Sequence, residues 1–299
     1  MRASPRHNRQ SGALLLIVAL LLATMAALAF GVNRAASMDA IAVQGDYESR
    51  AAGYLAEAAV AAARWGNQAA GCMSEDVPLT AFGLGTIRAT VAKASSKRLN
   101  IVATGTIGGD TIRTIERKEV DIVDFTKTET RDLTAAALDI TIDASRLMAD
   151  GANDTLSLVS DRAYALLYWP ISEISADMRV VAATLTLTQN GSSAVTRPVG
   201  VHRMTTRWDS NATWRIARPG VGWTGGDFGD IAAAATTVAG ASRYSWDVTS
   251  LVDGWVAGRL ANYGMLLRLA NPGQSANFYS FDAGAAQRPV LRVVTAKAC

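Results

Sequence analysis

The C-terminal half of the chain contains a cluster of tryptophan residues, whose side chains could bind a sugar. Five of them fall in one stretch: Trp208, Trp214, Trp223, Trp246 and Trp255. An aromatic face can stack on a sugar ring, but the bulk of tryptophan also suits a buried core. In the motif WDVTSLVDGW, strand alternation directs Trp246 inward, and Trp255 follows it in the same motif. We therefore expect these two to be core residues.

The other candidates lie in the glycine-rich segment TWRIARPGVGWTGGD. Loops of this kind carry function more often than strands do. We take Trp214, Arg215 and Trp223 as candidate ligand-binding residues. Arg215 and Arg218 could pair with the carboxylate of a uronic acid, although solvated loop charges would look the same in sequence.

Three loop aspartates, Asp227, Asp230 and Asp282, could offer oxygen ligands to a structural calcium ion. Their spacing is not that of an EF-hand loop, and loop aspartates also cap turns. No other cofactor or metal is expected, because two cysteines and two histidines are too few for a site of the zinc type.

Catalytic motifs are missing from the sequence. It contains no G-x-S-x-G, no H-E-x-x-H and no phosphate-binding loop. The formal charge of +3 is small, so nucleic acid is not an expected partner. We predict a protein that is not an enzyme.

The N-terminal segment predicts the compartment. Residues 1–12, MRASPRHNRQSG, form a basic leader, and about 20 residues from Ala13 to Val32 carry no charge, enough to span a bilayer as a helix. The arginines before the span place the N-terminus in the cytoplasm and the bulk in the periplasm or outside the cell. A cleaved signal peptide ending at Ala27-Leu28-Ala29 is the alternative. Because good helix formers follow the span, we expect one long helix over 13–66.

Two stretches resemble PilX-type minor type IV pilins: RQSGALLLIVALLLATMAALAF, which begins in the leader, and SRAAGYLAEAAVAAARW within the helix. The resemblance covers about residues 9–126. The resemblance implies cleavage between Gly12 and Ala13, and assembly with other pilin or pseudopilin subunits through Ala13, Leu14, Ile17 and Leu20. Most major pilins carry glutamate where this chain has Ile17, and a tip-located minor subunit would lack it. A membrane anchor that never polymerises is the alternative.

Alternating apolar and polar residues follow the helix. GTIRATVAKA, RLNIVATGTI and TIRTIERKEVDIVDF predict a small antiparallel sheet within 67–126. GGD between the second and third runs indicates a hairpin. This sheet would bury the alanine-rich side of the helix. Residues 127–137, KTETRDLTAAA, lose the apolar alternation and are interpreted as a linker.

From residue 138 to 299 the sequence is rich in short strands, which predicts a β-sandwich or barrel. Four segments resemble the DNRLRE family of extracellular β-sandwich domains: AYALLYWPISEISADMRVVAATLTLT, RWDSNATWRIARPGVGWTGGDFGD, WDVTSLVDGWVAGRLANYGMLLRLAN and FYSFDAGAAQRPVLRVV. The resemblance implies a jelly-roll-like, non-catalytic domain of exported proteins, some relatives of which bind acidic polysaccharides.

Cys72 and Cys299 are the two cysteines of the chain. In an exported protein, two cysteines favour a disulfide, here one that would tie the last residue back to the region after the helix. Two free thiols or an intermolecular bond remain as alternatives.

The expected fold class is α+β, with a long transmembrane pilin-like helix, a small antiparallel sheet and an all-β jelly-roll-like sandwich. The expected function is that of a minor pilin-like subunit in the bacterial inner membrane or at the cell surface. Its sandwich would bind a polysaccharide, a host ligand or another surface partner. The alternatives are a membrane-tethered carbohydrate-binding module that does not polymerise, or an accessory domain of a cell-surface enzyme system.

Overall fold

A computed structural model describes residue 25 and residues 42–133, 138–175, 177–191 and 195–299. The chain divides into two compact units. The first comprises the described residues up to Gly66 with Ser74–Ser95 and Leu99–Val120, and the second comprises Asn67–Met73, Ser96–Arg98 and Asp121–Cys299. β-Structure dominates the described residues, where the helices are α1, residues 42–69, and α2, Thr249–Val256.

The first unit combines α1 with a four-stranded sheet. The strands are β1 (Val77–Phe82), β2 (Gly85–Ser95), β3 (Arg98–Ile107) and β4 (Thr111–Asp121). They lie side by side in chain order. Gly108 and Gly109 have positive φ, as the tight turn between β3 and β4 requires.

Small residues allow the helix to lie directly on this sheet. Ala52, Ala56, Ala59 and Ala63 recur every three or four residues along α1, and all are buried. A Cβ atom added to Gly105 would lie 2.3 Å from the carbonyl oxygen of Ala52 and 2.4 Å from the backbone nitrogen of Ala56. The backbone of β3 therefore contacts the backbone of α1, and the alanine-rich side of the helix is the buried one.

The expected fold class, with its long N-terminal transmembrane helix, is wrong. The described residues are mostly β-structure, and no helix among them is long and apolar enough to cross a bilayer. α1 fails this test because charged residues such as Asp46, Arg50 and Glu57 recur along it. The apolar stretch 13–32 that prompted the prediction lies outside the described residues, apart from Met25.

The second unit is built on an 11-stranded antiparallel sheet, folded into two layers. We call β5 (Val123–Leu133), β9 (Met178–Asn190), β14 (Arg243–Asp247) and β17 (Val290–Ala298) the front sheet. The back sheet comprises β6 (Leu138–Asp143), β7 (Thr155–Val159), β8 (Ala163–Tyr168), β10 (Arg197–Arg203), β13 (Ala234–Val238), β15 (Met265–Leu269) and β16 (Ser275–Tyr279). A short hairpin, β11 (Ile216–Arg218) and β12 (Val221–Gly222), stands apart.

The main core fills the space between the front and back sheets. Leu185 and Leu187 of β9 face Leu167 of β8 and Val199 of β10, and all four are fully buried. Strand alternation then points the intervening residues of each strand away from this core. Trp246 and Trp255 belong to the core, with 1% and 4% of their surfaces exposed, as the sequence predicted. Residues 138–299 therefore contribute most of the β-sandwich that the sequence indicated.

Residues 127–137, expected to form a linker, instead continue a strand as far as Leu133. β5 pairs with β17 from Val123↔Ala298 to Leu133↔Leu291. Its middle residues are exposed because β5 is the edge strand of the front sheet. An edge strand with solvent on its outer face needs no apolar alternation, so KTETRD gave no strand pattern. Residues 134–137 lie outside the described part.

A second, smaller core lies on the outer face of the back sheet. Ile140 and Ile142 of β6, Leu166 of β8 and Leu266 of β15 form its floor. The segment 204–228 covers them with Met204, Trp208, Ala212, Ala217 and Trp223. The back sheet is thus apolar on both faces, and the covering segment holds much of the site described below.

A disulfide joins Cys72, just beyond α1, to Cys299 after the end of β17, with the two Cα atoms 5.8 Å apart. This confirms the pairing favoured from sequence. Cys72 and the preceding Gly71 both have positive φ, and the backbone N–H of Cys72 donates to the carbonyl of Asn67 at 2.9 Å. This turn ends the helix and directs Cys72 toward its partner.

Candidate functional site

A cleft of about 630 Å³ opens in the second unit, at the edge of the smaller core. Leu138 at the start of β6 and Tyr168 at the end of β8 form one part of it, and they are direct partners in the strand register. The remaining lining residues are Arg207, Trp208, Asp209, Arg218, Asn262 and Tyr263. We refer to this feature as the aromatic cleft.

Three aromatic residues give the cleft its apolar surface. Trp208 is 6% exposed, and its indole N–H donates to the carbonyl of Tyr263 at 2.8 Å. Trp208 therefore acts mainly as a rigid support. Tyr168 and Tyr263 are half-buried beside the small core and keep part of their surface in the cleft. A partly exposed aromatic side chain offers a flat apolar face together with a polar end, which suits the mixed surface of a sugar.

The position of Tyr263 is fixed by the residues on either side of it. The side-chain amide of Asn262 donates to the carbonyl of Trp169 at 2.8 Å and accepts from the backbone N–H of Gly264 at 3.1 Å. Gly264 has φ +86°, and a Cβ there would lie 2.3 Å from the carbonyl oxygen of Leu167. Only glycine allows this approach, so the turn before β15 holds Tyr263 in place.

The polar part of the cleft is positively charged. Arg207 and Arg218 are exposed, and within the described residues neither forms an ion pair with a carboxylate. The β11–β12 hairpin presents Arg218, with Gly220 at φ +78° in its turn. Asp209 accepts the backbone N–H of Asn211 at 2.8 Å. Two arginines against one aspartate favour an anionic ligand.

The carboxyl groups of the cleft bear on its chemistry. Glycoside hydrolysis ordinarily uses two carboxyl groups that flank the bond to be broken. Among the described residues that line the cleft, Asp209 supplies the one carboxyl group, and it accepts a backbone hydrogen bond.

Of the residues considered from sequence, Arg218 lines this cleft, whereas Trp214, Arg215 and Trp223 are not among its lining residues. Trp223 is 8% exposed and donates its indole N–H to the carbonyl of Thr213 at 2.7 Å. Trp214 packs against Tyr164, with ring centroids 5.1 Å apart, and Arg215 is exposed nearby. Whether any of them contacts a ligand stays a prediction. The nearby arginine that does line the cleft is Arg218.

Sequence reasoning missed both tyrosines of the cleft. A signal for Tyr168 was present, since it shares the alternating face of β8 with Tyr164 and Leu166, opposite the residues of the main core. Tyr263 stands in the turn ANYG, where a large aromatic residue next to glycine is unusual for a solvated loop.

The three aspartates considered for calcium are all exposed. Asp227 accepts the hydroxyl of Thr206 at 2.8 Å. Among the residues that the structure describes, no group of three or more His, Cys, Asp or Glu side chains is placed to hold a metal. A calcium ion at Asp227, Asp230 or Asp282 therefore stays a prediction.

One buried carboxyl group lies close to Asp282. Asp139 of β6 is 8% exposed and accepts the backbone N–H of Phe281 at 2.7 Å. Burial raises the pKa of Asp139 to about 6, the Phe281 hydrogen bond lowers it, and the nearby charge of Asp282 raises it further. Asp139 therefore exchanges its proton in the mildly acidic range.

The residues expected to act in leader cleavage and helix assembly, Gly12, Ala13, Leu14, Ile17 and Leu20, lie outside the described residues. The cleavage site and the assembly surface stay predictions.

Comparison with known proteins identifies the second unit. Residues 137–295 match the family described as carbohydrate-binding module family 96. The match covers the aromatic cleft and both sheets apart from β5 and the end of β17. It gives no support to the pilin resemblance of the N-terminal part. No curated protein matches the chain significantly.

Proposed function

Because the chain belongs to carbohydrate-binding module family 96 through residues 137–295, we propose that it binds a polysaccharide in the aromatic cleft, without catalysing a reaction. The observation that carries the proposal is the pairing of two half-buried tyrosines, Tyr168 and Tyr263, with two arginines that lack an acidic partner in the described residues. The tyrosines would stack on sugar rings, while Arg207 and Arg218 would bind acidic groups.

The arginines favour a polysaccharide that contains uronic acids over a neutral one. A guanidinium group can donate two parallel hydrogen bonds to one carboxylate, which gives both charge and geometric selectivity. The aromatic floor alone would accept neutral sugars equally well. Binding should therefore weaken as salt screens the arginines, since both are exposed.

The disulfide and the family match support a location at the cell surface or outside the cell. Disulfides persist in oxidising compartments. A carbohydrate-binding module at the cell surface would be in contact with extracellular polysaccharide. Assembly into a pilus has no comparable support, so a carbohydrate-binding module is the better-supported function.

Calorimetry tests the proposal by measuring how tightly the full-length chain binds short oligouronates and neutral cello-oligosaccharides. Replacing Tyr168 or Tyr263 by Ala should weaken oligouronate binding at least tenfold, since central aromatic contacts dominate such interfaces. Replacing Arg218 by Gln should reduce the preference for the acidic oligomer. Tyr54→Ala is the matched control, because Tyr54 is an exposed tyrosine of the first unit. Unchanged binding in both cleft tyrosine variants would refute the proposed site.

A further inference from the structure

A second groove lies on the outer face of the front sheet. It has a volume of about 340 Å³, and its floor consists of Thr184, Thr186 and Thr188 of β9. These threonines alternate with the buried Leu185 and Leu187, so they point away from the main core. We call this feature the threonine groove.

Arginines border the threonine groove on both sides. β9 lies between β14 and β17, with Thr188 opposite Arg243 on one side and Thr184 opposite Arg292 on the other. Arg288, just before β17, also lines it. Every second residue of a strand lies about 6.8 Å further along it, so the row of three threonines extends for about 14 Å.

The positive charge of this groove is only partly compensated. Arg292 forms a bidentate ion pair with Asp132, with distances of 2.7 and 2.8 Å. Arg243 instead donates to the carbonyl of Ala286, and Arg288 donates to the carbonyl of Ala283. Within the described residues, neither of these two has an acidic partner. Backbone carbonyls hold the two guanidinium groups in position and leave their charge available for an anion.

The threonine groove and the aromatic cleft lie on opposite faces of the sandwich. Thr184, Thr186 and Thr188 face outward from the front sheet, whereas Tyr168 faces outward from the back sheet beside the smaller core. The main core separates the two sheets. One polysaccharide segment cannot contact both sites without passing around the edge of the sandwich.

The chemistry of the groove selects one class of ligand. Threonine hydroxyls both donate and accept, which matches a ligand rich in hydroxyl groups. Among the described residues that line the groove, none is an aromatic on which a nucleic-acid base could stack. The apolar one, Val290, is too small to anchor a protein partner, and the carboxylate, Asp132, is paired with Arg292. An extended chain carrying regularly spaced carboxylate or sulfate groups fits a hydroxyl row between arginines.

We propose that the threonine groove is a second binding site for anionic polysaccharide, so that one molecule can bind two polysaccharide segments on opposite faces. This inference takes its class of ligand from the proposed function but does not depend on the aromatic cleft being occupied. The acidic group could be a uronate carboxylate or a sulfate ester, since arginine binds both.

Thr188→Glu tests the groove with little risk to the fold, because the new carboxylate would lie opposite Arg243 and repel an anionic ligand. Thr237→Glu is the matched control, because Thr237 is an exposed threonine of β13 that is not among the lining residues of either site. Calorimetry of the full-length chain with an oligogalacturonate hexamer should give two sites per chain. Thr188→Glu should leave one site and Tyr263→Ala should leave one site, whereas the double variant should have none. Thr237→Glu should keep both sites, with affinities changed less than threefold. A parallel titration with a sulfated oligosaccharide of equal length identifies the preferred acidic group by its affinity.

The outcomes separate the two proposals. One site in the wild type that Tyr263→Ala abolishes would overturn the second site and leave the aromatic cleft intact. One site that only Thr188→Glu abolishes would support the groove and overturn the cleft. Displacement of the hexamer from the Tyr263→Ala variant by a single-stranded oligothymidylate at lower concentration would also overturn the groove proposal, because it would assign the groove to nucleic acid.

Discussion

Trp208 donates its indole N–H to the backbone carbonyl of Tyr263 at 2.8 Å, across 55 residues of sequence. The bond ties the segment that covers the smaller core to the turn that carries a cleft tyrosine. It therefore couples the packing of the back sheet to the shape of the aromatic cleft, and this coupling can be tested.

Trp208→Phe should weaken polysaccharide binding several-fold while costing about 1 kcal/mol of unfolding free energy, the usual loss for one hydrogen bond. Trp223→Phe provides the matched control. Trp223 makes an equivalent bond, from its indole N–H to Thr213 at 2.7 Å, but does not line the cleft. Calorimetry and denaturant unfolding of both variants should show similar stability losses and a binding loss only for Trp208→Phe. Equal binding losses would contradict the supporting role of Trp208.

Gly105→Ala should destabilise the first unit by about 3 kcal/mol, because the new methyl group would overlap the backbone of α1 at Ala52 and Ala56. Gly45→Ala, in α1, places its methyl group where no described residue lies within 4 Å, so it should be neutral or stabilise by up to about 1 kcal/mol. Limited proteolysis within residues 42–120, followed by mass spectrometry, measures the effect. Equal protection of both variants would show that the close contact does not determine stability.

Asp139 predicts an unusual pH dependence of stability. Its folded-state pKa of about 6 lies above the ordinary value of 3.8, so the folded protein holds this proton more tightly. The contribution of Asp139 is therefore fully present below about pH 4 and is lost as the pH rises through 6. The change amounts to about 3 kcal/mol, at 1.36 kcal/mol for each pKa unit.

Urea unfolding of the wild type and of Asp139→Asn at pH 4 and pH 7 measures this effect. From pH 4 to pH 7, the unfolding free energy of the variant should rise by about 3 kcal/mol relative to that of the wild type. Asn keeps an oxygen that can accept the N–H of Phe281. Asp282→Asn, at the exposed neighbour of Asp139, should change the wild-type difference in stability between pH 4 and pH 7 only slightly. A stability difference between wild type and Asp139→Asn that does not vary with pH would rule out the raised pKa.

Removing the disulfide should destabilise the second unit. The bond closes a loop between Cys72 and Cys299, which lie 227 residues apart in sequence, and such closure contributes about 5 kcal/mol by restricting the unfolded chain. A Cys72→Ser, Cys299→Ser double variant should show this loss in denaturant unfolding without a reducing agent. The wild type with dithiothreitol should match the variant. Identical unfolding of the oxidised wild type and the variant would contradict a stabilising role.

The sequence predicted those features that alternation and residue size decide. The strands of the sandwich and the burial of Trp246 and Trp255 followed from short-range patterns. The pairing of the cysteines was favoured because the chain has only two of them. β5 was missed because edge strands do not need an apolar face, and KTETRD therefore resembles a loop. The apolar run 13–32 dominated the interpretation of the fold, although most of the described chain is β-structure.

The aromatic cleft could not be derived from local patterns. Tyr168, Trp208 and Tyr263 come from three separate segments that meet only because β8 lies beside β15 and the segment 204–228 folds over both. The tryptophans that drew attention in sequence, Trp214 and Trp223, support this covering segment from within. In such a segment, the residue types that could bind a ligand also serve to hold the segment in place.

The bond between Cys72 and Cys299 also determines how the protein carries mechanical load. A pull applied through α1 reaches Cys72 and passes through the sulfur atoms to β17, which lies between β9 and β5 in the front sheet. Strands β1–β4 lie in the stretch of chain that follows Cys72, which the disulfide bypasses, so they carry little of this tension. The sandwich could thus remain attached under force even if the small sheet unravelled.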